Sequence, residues 1–155
     1  MIKDETLLVL DITDFSKKYE ENMEYLARVR DGSEGEPSNG YWTLNVIGTE
    51  VGEAWIIPLY GRLYSQGDSD FRSENTEIRW AIDKVCHNTG KRGAWGLDRG
   101  GDRRELLNFL EDRSLRFIIR SRGERSVVYR GKKISMLEAA LSCHLPYAGR
   151  VMKEE

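Results

Sequence analysis

With 155 residues, 39% of them apolar and 32% charged, the chain is long enough to bury one core and too apolar to be a disordered polymer. Its net charge of −2 excludes a uniformly basic nucleic-acid coat, and no apolar run reaches the ~18 residues of a membrane span. Cys86 and Cys143 are too few for a disulfide framework, and the charged flanks of the first apolar stretch do not fit a secretory leader, so a reduced, cytoplasmic protein is expected.

The first predicted element is a strand over 6–12, a continuous apolar run ending in Asp11-Ile12 and suited to the middle of a sheet. Residues 14–40 are polar and turn-rich, with a weakly periodic helix over 18–29. Two strands follow, over 41–48 and 53–59, read as an antiparallel hairpin with Pro58 marking an edge. Residues 61–73 are expected to form a loop. Ile78, Ala81, Ile82, Val85 and Cys86 recur at helical spacing, and Gly90 supplies the stop. Residues 94–97 form a short strand closed by Asp98, and Asp102-x-x-Glu105 reads as a capping box opening a helix over 103–113. A fifth strand covers 115–120, with another short strand over 126–129 and a helix over 135–143.

Strands in the order β-β-β-α-β-α-β predict an α/β fold with a mixed five-stranded sheet. The first three strands run antiparallel, and the helical crossovers make the first, fourth and fifth parallel. If the fourth strand lies beside the first, Asp11 and Asp98 emerge together, on strands ~5 Å apart. Ligand sites in such sheets lie off the carboxyl ends of strands.

The stretches LVLDITDFSK and GAWGLDRGGDRRELLNFLEDRSLRFIIRSRGER carry a family likeness. They resemble the DDE transposases of bacterial insertion sequences, in particular the cut-and-paste group with an RNase H-like catalytic domain. In that family the first aspartate stands in an Asp-x-Thr context, as Asp11-Ile12-Thr13 does here. The second is followed by Arg and a helix, as Asp98-Arg99 is, and a later strand ends in Arg-Ser, as Phe117–Ser121 does. The resemblance spans residues 6 to 130, with the two aspartates 87 positions apart. It implies DNA strand cleavage and strand transfer, two Mg²⁺ or Mn²⁺ ions in the complete enzyme, Asp11 and Asp98 as metal ligands, and a homodimer bound to DNA. The third acid of the family, a Glu in a Tyr…Arg…Glu…Lys run, has no match in 131–155, and Glu138 is not assigned that role. The chain is therefore read as a partial catalytic domain over 1–130, with 131–155 opening an insertion or linker, and as inactive alone. The alternative is a non-enzymatic transposase remnant that binds DNA or dimerises.

Charge is distributed unevenly. Residues 1–35 hold five Lys/Arg against nine Asp/Glu, a balance of −4, whereas 99–133 hold eleven against five, a balance of +6. An acidic metal pocket beside a phosphate-facing surface is one reading, and ordinary solvated charge is the other. Arg99, Arg120, Arg122 and Lys17 are the candidate DNA contacts, since guanidinium forks match phosphates; surface salt bridging is the plainer reading of each. Asp14 is the rival of Asp11, assigned to a turn or cap. Asp102 is preferred to Asp98 as helix cap, which leaves Asp98 free to bind metal. An RNA–DNA hybrid nuclease would need further acids, for which Glu53 and Asp83 are the suggestive positions. The pairs Cys86-His87 and Cys143-His144 are poorly disposed for zinc, because neighbours on a helix point ~100° apart.

Overall fold

The computed structural model describes residues 1–17, 20, 22–30 and 36–143. It divides into two compact units, Met1–Arg120 and Ser121–Glu155.

The first unit is a mixed α/β structure built on a six-stranded sheet. Its strands are β1 (Leu7–Ser16), β2 (Ala27–Arg30), β3 (Pro37–Thr49), β4 (Ile57–Tyr64), β5 (Ala94–Leu97) and β6 (Arg116–Ile119). β3 lies antiparallel to β1 on one side and to both β2 and β4 on the other. β5 runs parallel to β1, and β6 parallel to β5. Two helices connect the later strands, α1 (Glu74–Thr89) and α2 (Arg104–Asp112).

Alternation along β1 decides which face is which. Leu8 and Leu10 are buried and meet Trp95 and Leu97 of β5 in register. They pack with Ile78, Ala81, Ile82 and Val85 of α1 and with Leu106, Phe109 and Leu110 of α2 in one core. The apolar stripes of both helices are thus spent on the same sheet face. On the opposite face Ile118 is 67% exposed. The close approach of β1 to β3 needs a glycine at 40, where a Cβ would stand 2.3 Å from the Phe15 carbonyl oxygen.

Several elements differ from the sequence reading. β1 runs four residues beyond 12, because β3 is thirteen residues long and pairs with it as far as Ser16↔Gly40. Asp11 therefore sits mid-strand, and Asp14 lies within β1 opposite Trp42 instead of in a turn or cap. The helix expected over 18–29 is replaced at its end by β2, which takes the edge offered by Pro37–Gly40; Lys18, Tyr19 and Glu21 lie outside the described residues. β4 begins later than 53 and continues to Tyr64, with a bulge opposite Val46/Ile47 beside Pro58. The strand over 94–97 is found as read, and α1 begins at a Ser73 cap and stops at Gly90, where φ is 70°.

The second unit holds a hairpin of β7 (Ser126–Tyr129) and β8 (Lys132–Ser135), followed by α3 (Met136–Ser142). Arg130 and Gly131 both have positive φ, 50° and 78°, as a two-residue hairpin turn of the I′ kind requires. Ser135 and Glu138 close a reciprocal capping box. No helix among the described residues is long and apolar enough to cross a membrane.

Candidate functional site

The parallel ladder of β1 and β5 ends at Leu10↔Leu97, so Asp11 and Asp98 occupy the next step on the two adjacent strands. Both line a groove of about 470 Å³ on the sheet face away from the helices, together with Val9, Gly96, Ile118 and Arg120. Both are exposed. One Asp11 carboxylate oxygen accepts the Thr13 hydroxyl at 2.6 Å, which orients it along the strand. Asp98 accepts the Gly100 backbone N–H at 2.8 Å.

That bond corrects the assignment of caps. Asp98 itself is the cap of a short 3₁₀ turn, Arg99–Gly101. The residue ahead of α2 is Arg103, which makes no side-chain cap. The Asp102-x-x-Glu105 pattern is not used as a capping box, because Glu105 is drawn sideways to Arg79 and to Asn75 at 2.7 Å on α1. Capping and exposure coexist at Asp98, since Oδ1 is engaged by only one N–H and a carboxylate has about four acceptor sites.

A second cleft, about 340 Å³, opens on the helix side of the same strands. Asp98 lines this one too, with Asp14, Glu74, Arg103 and Trp42 above an apolar floor that includes Leu10 and Ile78. Asp11 and Asp14 thus serve opposite faces of the sheet, as their odd spacing on a strand dictates. Among the described residues no group of three or more His, Cys, Asp or Glu is arranged to hold a metal ion.

The basic candidates are dispersed. Arg120 is exposed at the end of β6, its backbone N–H bonded to the Leu97 carbonyl at 3.2 Å, and it lines the Asp11–Asp98 groove. Arg99 is exposed on the 3₁₀ turn. Lys17 follows β1 six residues after Asp11, roughly 20 Å away along an extended strand, with its ammonium 4.8 Å from the Phe15 ring centre. Arg122 is an exposed residue of the second unit. Part of the positive balance of 99–133 is absorbed by ion pairs: Arg103 with Glu74, Arg113 with Asp83 at 2.9 Å and Arg116 with Asp4 at 3.8 Å. Asp83, one of the suggestive extra acids, is thereby engaged by a two-pronged guanidinium contact. Cys86 is half-buried on α1 and burial pushes its thiol pKa up, as befits a packing residue; His144 lies outside the described residues.

Two polar side chains in the first unit had no signal in the sequence. Glu77, one of the α1 positions facing inward, is only 2% exposed and is met by Arg62 of β4 at 3.1 Å. Burial raises its carboxyl pKa and Arg62 opposes that shift. Tyr64 is buried between Trp42 and Phe71, with ring centres 6.2 and 5.8 Å away, and burial likewise raises its pKa. Neither could be found from periodicity, since a Glu at an inward helix position reads as a flaw until its cross-element partner is known.

No protein-family model and no curated protein matches this chain.

Proposed function

We propose that this chain is part of the catalytic domain of a DDE transposase, with an RNase H-like sheet and two of the three metal-binding acids, Asp11 and Asp98. The observation that carries the reading is that Asp11 and Asp98 directly follow the last pair of the parallel β1–β5 ladder and line one groove with Arg120. The strand order β4-β3-β1-β5-β6, antiparallel on one side of β1 and parallel on the other, supports the RNase H-like assignment.

The donor set fits a hard, hydrated cation. Both carboxylates are exposed, and neither imidazole nor thiolate lines their groove. Mg²⁺ is commonly held by one or two carboxylates, with waters and substrate phosphates filling its other positions. When bound, such an ion supplies Lewis-acid stabilisation of charge developing on phosphoryl oxygens. Asp11 and Asp98 would hold Mg²⁺ or Mn²⁺, Thr13 and the Gly100 N–H would orient them, and the Arg120 fork would clamp a DNA phosphate at the rim. The parent enzyme would act as a homodimer on transposon ends and target DNA, and this chain, lacking the third acid, would not cleave DNA by itself.

Because DNA phosphates would complete the ion's coordination, ion and DNA should bind cooperatively. Duplex affinity measured by fluorescence anisotropy at constant ionic strength should rise with Mg²⁺ for the wild-type chain and stay flat for Asp98→Ala. Equal Mg²⁺ dependence in both proteins, or none in the wild type, would remove the reading.

A further inference from the structure

We propose that Arg103 is a positioning residue for Asp98, tying the turn that carries this carboxylate to the first turn of α1. The inference rests on the metal-binding reading of Asp98 and goes one layer outward from it.

Residues 98–103 form a short connection between β5 and α2, and it is held at three points. At its start the Asp98 carboxylate takes the Gly100 N–H at 2.8 Å, and the Asp98 carbonyl takes the Gly101 N–H at 3.1 Å. In the middle Gly101 is buried so close to Leu97 that a Cβ there would stand 2.7 Å from the Leu97 Cβ. At its end the Arg103 backbone N–H donates to the Gly101 carbonyl at 2.8 Å. The Arg103 guanidinium then reaches across to α1, donating to Asn75 Oδ1 at 3.1 Å and to the Glu74 carboxylate. Two guanidinium nitrogens on two neighbouring acceptors fix a direction as well as a distance.

The contact occupies a position where a mere helix pin is not required. α1 and α2 are already joined further along by Arg113, which grips Asp83 through two nitrogens at 2.9 and 3.2 Å and lies 3.8 Å from the Phe109 ring centre. Glu105 joins the two helices as well, through Arg79 and Asn75, and Arg103 is the tie to α1 nearest Asp98 along the chain. Glu74 and Arg103 also line the helix-side cleft with Asp98, so the ion pair contributes to the charge of a cleft that this carboxylate borders. Without Arg103 the turn keeps its short-range bonds and loses its nearest tie to α1, leaving the bonds of Glu105 further along. Glu74 then loses its guanidinium partner in a cleft that Asp98 also lines. Partners bonded directly to a metal ligand are typically worth about 10- to 100-fold in metal affinity, and Arg103, acting through the turn, falls at the lower end of that range.

The two arginines provide the test. Mn²⁺ affinity is measured by electron paramagnetic resonance on folded protein, well below the thermal transition, for Arg103→Met, Arg103→Lys and Arg113→Met. The expected result is a loss of at least about 10-fold for Arg103→Met, partial recovery with lysine, and no change for Arg113→Met despite a lower melting temperature. Equal losses in Arg103→Met and Arg113→Met would make Arg103 a plain helix pin, and unchanged affinity in Arg103→Met would overturn the proposal outright. If the wild-type chain binds no Mn²⁺, the metal-site reading fails, and the anchor is judged by amide exchange at Gly100. Faster exchange in Arg103→Met than in Arg113→Met then upholds the anchoring role, and equal rates end it.

Discussion

Replacing Asp98 with alanine is expected to abolish divalent-ion binding, a loss of more than about 100-fold, larger than removing an outer partner causes. On the proposed reading a hard cation in the groove would draw its protein ligands from Asp11 and Asp98, so removing Asp98 takes away half of the protein's donors. Alanine also deletes the bond from the Gly100 N–H, worth about 1 kcal/mol for a typical cap. Asp98→Asn separates the two effects. Asparagine caps as well as aspartate, so this variant should keep its stability and still lose the ion. Asp14→Ala should keep the ion, because Asp14 shares only the helix-side cleft with Asp98 and does not line the groove that holds Asp11. Calorimetric titration with Mn²⁺ reads all three. Binding that survives in Asp98→Asn, or disappears in Asp14→Ala, would place the ion elsewhere.

The second large effect is on stability. Trp95→Ala should cost about 3–5 kcal/mol, a large part of the total for a domain of this size. Trp95 is 1% exposed on β5, in the layer shared with Leu8 and both helices, so the cavity would open at the centre of the core. Trp80→Ala should cost far less. Trp80 is 40% exposed on α1 with the Arg62 guanidinium over its ring at 5.2 Å. Urea unfolding followed by far-ultraviolet circular dichroism checks both without relying on tryptophan emission. Similar losses for the two variants would contradict the placement of the core.

The elements that sequence reading located well are those whose signal is local. α1 shows its period in Ile78, Ala81, Ile82 and Val85 and its stop in Gly90, and β5 is a short apolar run bounded by Gly93 and Asp98. The strands that were missed or misjudged owe their limits to partners distant in sequence. β1 extends to Ser16 because β3 is long enough to pair with it, and β2 exists because Pro37–Gly40 offers an edge. β8, reading Lys132–Ser135, has little apolar character and is held by the turn at Arg130-Gly131.

The site divides in the same way. Asp11 and Asp98 each directly follow the last pair of the β1–β5 ladder, Leu10↔Leu97, and the apolar runs before them carry that register in the sequence. The capping of the 3₁₀ turn by Asp98 was not legible, because Asp102-x-x-Glu105 presents the stronger local pattern. What defeats that pattern is tertiary: Glu105 finds Arg79 and Asn75 on α1. The facing of Asp14 toward Glu74 and Arg103 was hidden for a similar reason, since it depends on β1 remaining extended past Ile12.

The central claim is that one cation is shared by Asp11 and Asp98, and paramagnetic broadening by Mn²⁺ tests it most directly. In ¹⁵N-labelled protein at substoichiometric Mn²⁺, the amide signals of Asp11, Ile12, Asp98 and Arg99 should fade together, ahead of those of Asp14, Glu53 and Asp83. Uniform fading across exposed carboxylates, or fading centred on any other acid, would contradict it.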